Sequence, residues 1–273
     1  VGAGGADLVD VHSDPDHHRS VFTFLGPGAA VERAALALAR TAVRRIDMRR
    51  HRGAHPRVGA VDVVPFVPLR GSSMGDAVAA AHRVGLALAG ECGLPVFFYG
   101  AAARRPERRD LPGLRRGGFE NLAARLALPG AAPDAGPERP HPTAGACIVG
   151  ARRALIAFNA VLDGADLAVA RAIARAVRAS SGGLPGVQAM GVWLESRGLA
   201  QVSLNLLDYR STSPRAVAER IAEEAARGGA AVREYELVGC APADAFREWP
   251  AALAPLAGLR PTQLLPPDLL AEA

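Results

Sequence analysis

The sequence predicts an α+β protein built from two ferredoxin-like subdomains, residues 1–145 and 146–273, with a cleft between them. Three observations carry that expectation. The second half reads β-α-β-β-α-β, the split βαβ motif, from alternating β-branched runs and Ala-rich amphipathic stretches. The first half reads β-β-α-β-α-β, a unit of the same kind that lacks an opening β-α pair. Between them, residues 129–145 hold Pro129, Pro133, Pro137, Pro140 and Pro142 with three glycines, which suits a loop.

In chain order, residues 6–11 form a short strand and residues 12–19 a polar turn around Pro15. Residues 20–25 are a second strand, closed by Gly26-Pro27-Gly28. A helix over 29–47 places Val31, Ala35, Leu38, Ala42 and Ile46 on one face. A charged loop then leads into a strand at 59–68. Ser73 with Asp76 makes a capping box for a helix over 73–91, and the apolar run 94–99 is a strand. Residues 101–118 are rich in Arg, Pro and Gly, and a short helix covers 119–127. The second half gives a strand at 153–162, a helix at 163–179, and strands at 186–194 and 199–208 joined by Glu195-Ser196-Arg197-Gly198. Ser213-Pro214 opens a helix to Ala226, since Ser caps and Pro fits the first turn. A strand at 230–238, a helical piece over 243–249 and a Pro-broken tail complete the chain.

The chain has 273 residues, 49% hydrophobic and 22% charged, which suits a protein that buries a core. No run approaches the roughly 18 apolar residues of a membrane span, so no membrane partner is expected. The first residues lack the basic start and apolar run of a secretory signal. Cys92, Cys147 and Cys240 are scattered in apolar surroundings and read as reduced thiols, so the expected location is the cytoplasm. The net charge is +5 and every one of the 32 basic residues is arginine. The arginines are spread along the chain and aromatics are only 5%, too few for a nucleic-acid stacking surface. An acidic small molecule suits this charge, because guanidinium groups grip carboxylates in a two-pronged fork.

The stretch Arg49-Arg50-His51-Arg52-Gly53-Ala54-His55-Pro56-Arg57 packs two histidines and four arginines into nine residues. It feeds the apolar, β-branched run 61–67. A charged, Gly/Pro-broken loop anchored by a core strand is where chemistry tends to sit. Pro56 restrains the backbone of His55, whose imidazole titrates near neutrality. A solvated loop histidine is the plain alternative. From Ile46 to Gly71 the wording resembles the glutamate formimidoyltransferase family, whose loop reads much like "IDM-RHxGxHPRxGAxDVxPFxPxRG". The resemblance covers almost the whole chain and stops before any cyclodeaminase partner. It implies that His55 is the catalytic base.

A second polar cluster, His12-Ser13-Asp14-Pro15-Asp16-His17-His18-Arg19, has residue types that suit a metal, but loosely spaced on a turn. By the resemblance this turn faces the catalytic loop. Members of the family carry an acidic residue where His12 falls and asparagine where His18 falls, so Asp10 or Asp14 could take over an orienting part. A third stretch, Gly136-Pro137-Glu138-Arg139-Pro140-His141-Pro142-Thr143-Ala144-Gly145, resembles the family's folate-binding loop. Read alone, it is an interdomain linker. Arg152 precedes a segment similar to "GARxxLIAFN" and is a candidate carboxylate ligand. Gln201 and Asn205 fall in a segment like "LAQVSxNLLD", and Glu236 sits where vertebrate-type members have glutamine.

The resemblance implies transfer of a formimidoyl group from N-formimidoyl-L-glutamate to tetrahydrofolate, in histidine degradation. It implies tetrahydrofolate as co-substrate, no metal, and a homodimer. His12, Arg57, Arg152, Gln201 and Glu236 are the expected substrate-binding residues. Three rivals remain: formyl transfer from 5-formyltetrahydrofolate to glutamate, a non-catalytic folate- or anion-binding protein, and a metal-dependent hydrolase using His12, Asp14, His17, His18 and His51. Family members open on a strand and helix with a segment like "VPNFSEGR", which is not found before Ala6. The expectation is therefore a chain that starts late, with an open edge in the first sheet and an under-covered face on the 29–47 helix.

Overall fold

A computed structural model describes residues 5–247 and 249–270. The outer bounds 1 and 273 of the expected subdomains, and Glu248 in the expected helical piece, lie outside the described residues. The architecture is α+β with two subdomains.

The second subdomain matches its sequence pattern closely. Strand β6 (Ile156–Asp163), a helix (Leu167–Val177), β7 (Val187–Leu194), β8 (Leu199–Leu206), a second helix (Pro214–Arg227) and β9 (Ala231–Val238) follow in turn. The strands form an antiparallel sheet in the order β9-β6-β8-β7. A two-residue strand, Leu256–Ala257, extends it beside β9. Asp166 and Ser213 cap the two helices by accepting from Val169 N and Ala216 N. Both helices bury an apolar stripe against Ile156, Phe158, Ala160 and Leu162 of β6 and their neighbours. Phe158 stacks on Tyr235 at 5.2 Å between centroids, and the Tyr235 hydroxyl donates to Ala218 O at 2.8 Å. That bond removes the cost of burying a phenol.

The first subdomain is not one sheet. Strands β1 (Asp7–Asp14) and β2 (Arg19–Leu25) form a hairpin of their own. After α1 (Gly28–Arg45), strands β3 (Asp62–Phe66), β4 (Val96–Gly100) and β5 (Cys147–Ala151) make a parallel sheet in the order β3-β5-β4, with α2 (Met74–Cys92) packed on it. Strand β5 lies across the boundary expected at 145 and ahead of the strand expected from 153. It is buried along its whole length, as the central strand of a parallel sheet must be. The chain therefore changes sheets between Ala151 and Ile156, and the proline-rich loop belongs to the first subdomain. Asp134 in that loop accepts from Phe98 N at 2.8 Å and pairs with buried Arg108 at 2.8 Å.

The buried face of α1 also differs from expectation. Ala30, Ala34, Ala35 and Ala39 are buried, whereas Ile46 is 39% exposed. Small side chains let α1 approach α2 closely, and Ala35 and Ala39 share a core with Ala77, Ala80, Ala81 and Val84. Leu38, Ala42 and Ile46 instead line a broad cavity. β3 pairs only with β5 among the described residues, so its other edge is open. No described helix is long and apolar enough to cross a membrane.

The β1–β2 hairpin reaches across to the second subdomain. Asp16 at its tip accepts from the backbone and the hydroxyl of Ser196, each at 2.7 Å. Asp10 pairs with Arg260, and Thr23 lies against Gly239.

Candidate active site

The loop from His51 to Val61 is shaped by contacts its own sequence supplies. Met48, just before it, is buried and donates its N–H to Thr143 O at 2.8 Å. A Cβ at Gly53 would sit 2.3 Å from His17 O, so only glycine lets the loop pass against the hairpin turn. Ala54 N then donates to Asp16 O at 3.0 Å. At Gly59 a Cβ would lie 2.0 Å from Ala146 O, where the loop crosses the start of β5. Asp62 ends the loop with φ of +53°, an uncommon conformation for a residue with a side chain. Its carboxylate accepts from Val58 N at 2.9 Å and pairs with Arg115, and these bonds hold the strained turn.

Two histidines bind this loop to the hairpin. His18 and His51 stack at 4.1 Å between centroids, 11° from parallel. His51 Nε2 lies 2.6 Å from His18 O, a group that can only accept, so the proton is on Nε2. His51 Nδ1 is then free to accept from Arg57 Nε at 3.1 Å. His18, itself at φ of +49°, meets the backbone of Arg52 through Nδ1 at 3.0 and 3.2 Å. Burial lowers the pKa of His51, in keeping with a neutral ring.

His55 is half-buried on the cavity wall. Its Nδ1 lies 2.9 Å from Pro56 O. A carbonyl cannot donate, so Nδ1 carries the proton and Nε2 keeps its lone pair. Burial, followed by the nearby charges of Arg19 and Arg115, lowers the His55 pKa to about 2. The ring is therefore neutral at physiological pH. His17 stacks beside it at 5.6 Å and 25°. His17 is 1% exposed and holds Gln201 Oε1 at 2.9 Å through Nε2, and burial lowers its pKa as well.

The cavity measures about 2570 Å³, more than the 300–1,000 Å³ typical of a single small-molecule site. Of the expected site residues, His55, Arg57 and Arg152 line it. Arg57 is already engaged, with Glu120 at 2.5 and 3.0 Å and with His51. Arg152 donates to Arg153 O at 2.9 Å. His12, Gln201 and Glu236 do not line the cavity. His12 Nε2 lies 3.6 Å from Glu236, which also accepts from Asn159 at 3.0 Å, and Gln201 anchors His17. None of residues 136–145 lines it either. Their end backs the loop that carries His55, where Ala144 O accepts from Ala60 N at 2.9 Å and Gly145 bridges Gly59.

The five-residue hydrolase set does not converge on one point. His18 and His51 are committed to each other and to backbone, and His17 to Gln201. His12, Asp14 and Glu236 do bring ligand atoms within 4.8 Å of one another. Arg19, Arg115 and His17 are the groups that act electrostatically on His55, and sequence reasoning gave neither arginine a part in the site. Arg115 carries no signal beyond a run of arginines, whereas the polar turn that holds His17 and Arg19 is expected, by the resemblance, to face this loop.

Comparison with known proteins gives this geometry a family. Residues 2–152 match a model described as the formiminotransferase domain, N-terminal subdomain, and residues 157–251 match the formiminotransferase domain. Glutamate formimidoyltransferase of Streptococcus pyogenes serotype M1 is 42% identical over 242 residues, 89% of this chain and 81% of that protein. The Thermoplasma acidophilum glutamate formimidoyltransferase is 40% identical over 241 residues, 88% of this chain and 79% of the relative. Formimidoyltransferase-cyclodeaminase of Rattus norvegicus is 42% identical over 248 residues, and the match spans 46% of that longer protein. The chain belongs to the formiminotransferase family.

Proposed function

We propose that this protein is a glutamate formimidoyltransferase, moving a formimidoyl group between N-formimidoyl-L-glutamate and tetrahydrofolate in histidine degradation. One observation carries the reading. In a chain 42% identical to a glutamate formimidoyltransferase, a neutral histidine with an unbonded Nε2 stands on the wall of a cavity roomy enough for two substrates. His55 is that histidine.

The chemistry asks one group to move a proton twice. An amine nitrogen of the folate attacks the formimidoyl carbon, and the tetrahedral adduct collapses with loss of the glutamate nitrogen. His55 Nε2 accepts the proton of the attacking nitrogen and returns it to the departing one. The Pro56 carbonyl on Nδ1–H fixes the tautomer and steadies the ring while it is cationic. Among the described residues the Arg152 guanidinium bonds only to the Arg153 carbonyl and is available for a substrate carboxylate, while Arg57 holds the loop through Glu120 and His51. Gln201 acts through His17, and His12 with Glu236 supports the hairpin from the second subdomain. Residues 136–145 are kept as a folate contact on the family resemblance alone. The apolar side chains of α1 and the arginines on the same wall suit a flat heterocycle with an anionic tail.

The protein is further proposed to be a cytoplasmic homodimer whose partners are small molecules. The test of the activity is turnover with tetrahydrofolate plus N-formimidoyl- and N-formyl-L-glutamate in parallel. Transfer from the formimidoyl compound is the expected result. Transfer of the formyl group alone would move the assignment to glutamate N-formyltransferase, and transfer of neither would sink the reading.

A further inference from the structure

Arg19 opens β2 at the end of the polar turn and faces the cavity that holds His55. It is half-buried, and its Nε is shut off from solvent with no hydrogen-bond partner. Among the described residues its guanidinium makes no side-chain hydrogen bond and no ion pair within 4.0 Å; the nearest opposite charges, Asp62 and Asp14, have other partners. Arg115, on the short helix Leu111–Arg115, lies close by; it spends one guanidinium nitrogen on Asp62, while its Nε is buried and also unpartnered. Holding two guanidinium groups close together, each with its Nε buried and unpartnered and only Arg115 paired with a carboxylate, is costly. Such an arrangement is complete only when a second anion arrives, and a planar fork of donors matches a carboxylate best.

We propose that Arg19, with Arg115 beside it, is the subsite that receives the α-carboxylate of the glutamate substrate. The inference rests on the activity proposed above and deepens it. Two carboxylate sources exist, the glutamate derivative and the glutamyl tail of the folate. Proximity to His55 chooses between them. In the glutamate derivative a single carbon separates the α-carboxylate from the nitrogen that His55 must protonate. In the folate, the tail lies a whole aromatic ring and an amide away from the reacting nitrogen. The subsite also explains how so weak a base operates. Burial is the first cause of the low His55 pKa, and the charges of Arg19 and Arg115 lower it further. A bound carboxylate offsets these two charges, so the binding event that positions the substrate also raises the basicity of His55.

The experiment compares equilibrium binding of N-formyl-L-glutamate and N-formyl-4-aminobutyrate, which lacks only the α-carboxylate, to the whole chain and its R19Q and R19K variants. The unaltered protein should prefer the glutamate derivative by at least about tenfold, as a charge-assisted pair predicts. R19Q should lose that preference while binding 5-formyltetrahydrofolate within about twofold of the unaltered protein, and R19K should retain part of it. Equal binding of the two ligands by the unaltered protein overturns the proposal, whether or not R19Q folds. So does a loss in R19Q confined to the folate. Turnover measured alongside separates the two readings: a protein that shows the preference yet transfers neither group keeps the subsite and loses the proposed activity.

Discussion

His17 stacks on His55 at 5.6 Å, and its other edge is fastened to Gln201 at 2.9 Å. This pair joins the hairpin, the loop that carries His55 and strand β8 of the second subdomain at one point. His55 is thus positioned by both subdomains together. A loop held only by its own ends would let that ring drift, and small misplacements are expensive in catalysis.

Replacing His55 by Ala should lower turnover by about 10²–10⁴, the usual worth of a positioned acid–base group. Substrate affinity should change little, because the ring binds a proton rather than a carboxylate. Steady-state kinetics with both substrates measure this. Near-normal turnover in His55→Ala would falsify the assignment of the base.

The protein should lose stability on the acid side of neutrality. The folded pKa of His55, about 2, lies below its ordinary value of 6.5. As pH falls through 6.5 the unfolded chain takes up a proton that the folded chain refuses, so unfolding is favoured. The stabilisation is complete above pH 6.5 and drains away as pH drops toward 2. His17 and His51 are shifted in the same direction and add to the effect. Melting temperatures measured at about pH 7.5 and about pH 5 should show a smaller acid loss in His55→Gln than in the parent. An equal loss in both would remove His55 as a source of the acid sensitivity.

His51→Ala should affect turnover far less than His55→Ala. The ring supports the loop through His18 O and Arg57 and does not carry the proposed proton transfer. Removing it costs about 1–3 kcal/mol of stability from the lost hydrogen bonds and stacking. Chemical denaturation measures the stability change, and kinetics the turnover. A turnover defect as large as that of His55→Ala would mean that His51 has a direct part.

Saturating 5-formyltetrahydrofolate should raise the melting temperature, since a ligand that binds only the native state stabilises it by mass action. Zinc should do much less, although His12, Asp14 and Glu236 stand within 4.8 Å of one another. A thermal shift with zinc and none with the folate would reverse this ranking and favour a metal centre at those three residues.

Much of this protein could be read from local signals. The order of strands and helices in the second half, the Ser73–Asp76 capping box and the Ser213 cap all depend on neighbours a few residues apart, and all are present as expected. His55 could be named because a long, specific wording surrounds it. Strand β5 was missed because five apolar residues after a proline-rich loop carry no period of their own. Its identity as a central strand comes from β3 and β4, which flank it from elsewhere in the chain. The split of α1 into an alanine face on α2 and a leucine and isoleucine face on the cavity is likewise a matter of packing. The surroundings of His55 were the least legible part. Arg19, Arg115 and His17 meet it only after the hairpin folds over the loop, and Gln201 is 184 residues from the His17 it holds. The sequence by itself determined most of the elements and singled out His55 as the proposed base, because these follow from side-chain chemistry and short-range geometry. The charges that tune that histidine were decided by tertiary structure, since electrostatic and packing energies depend on distance in space rather than along the chain.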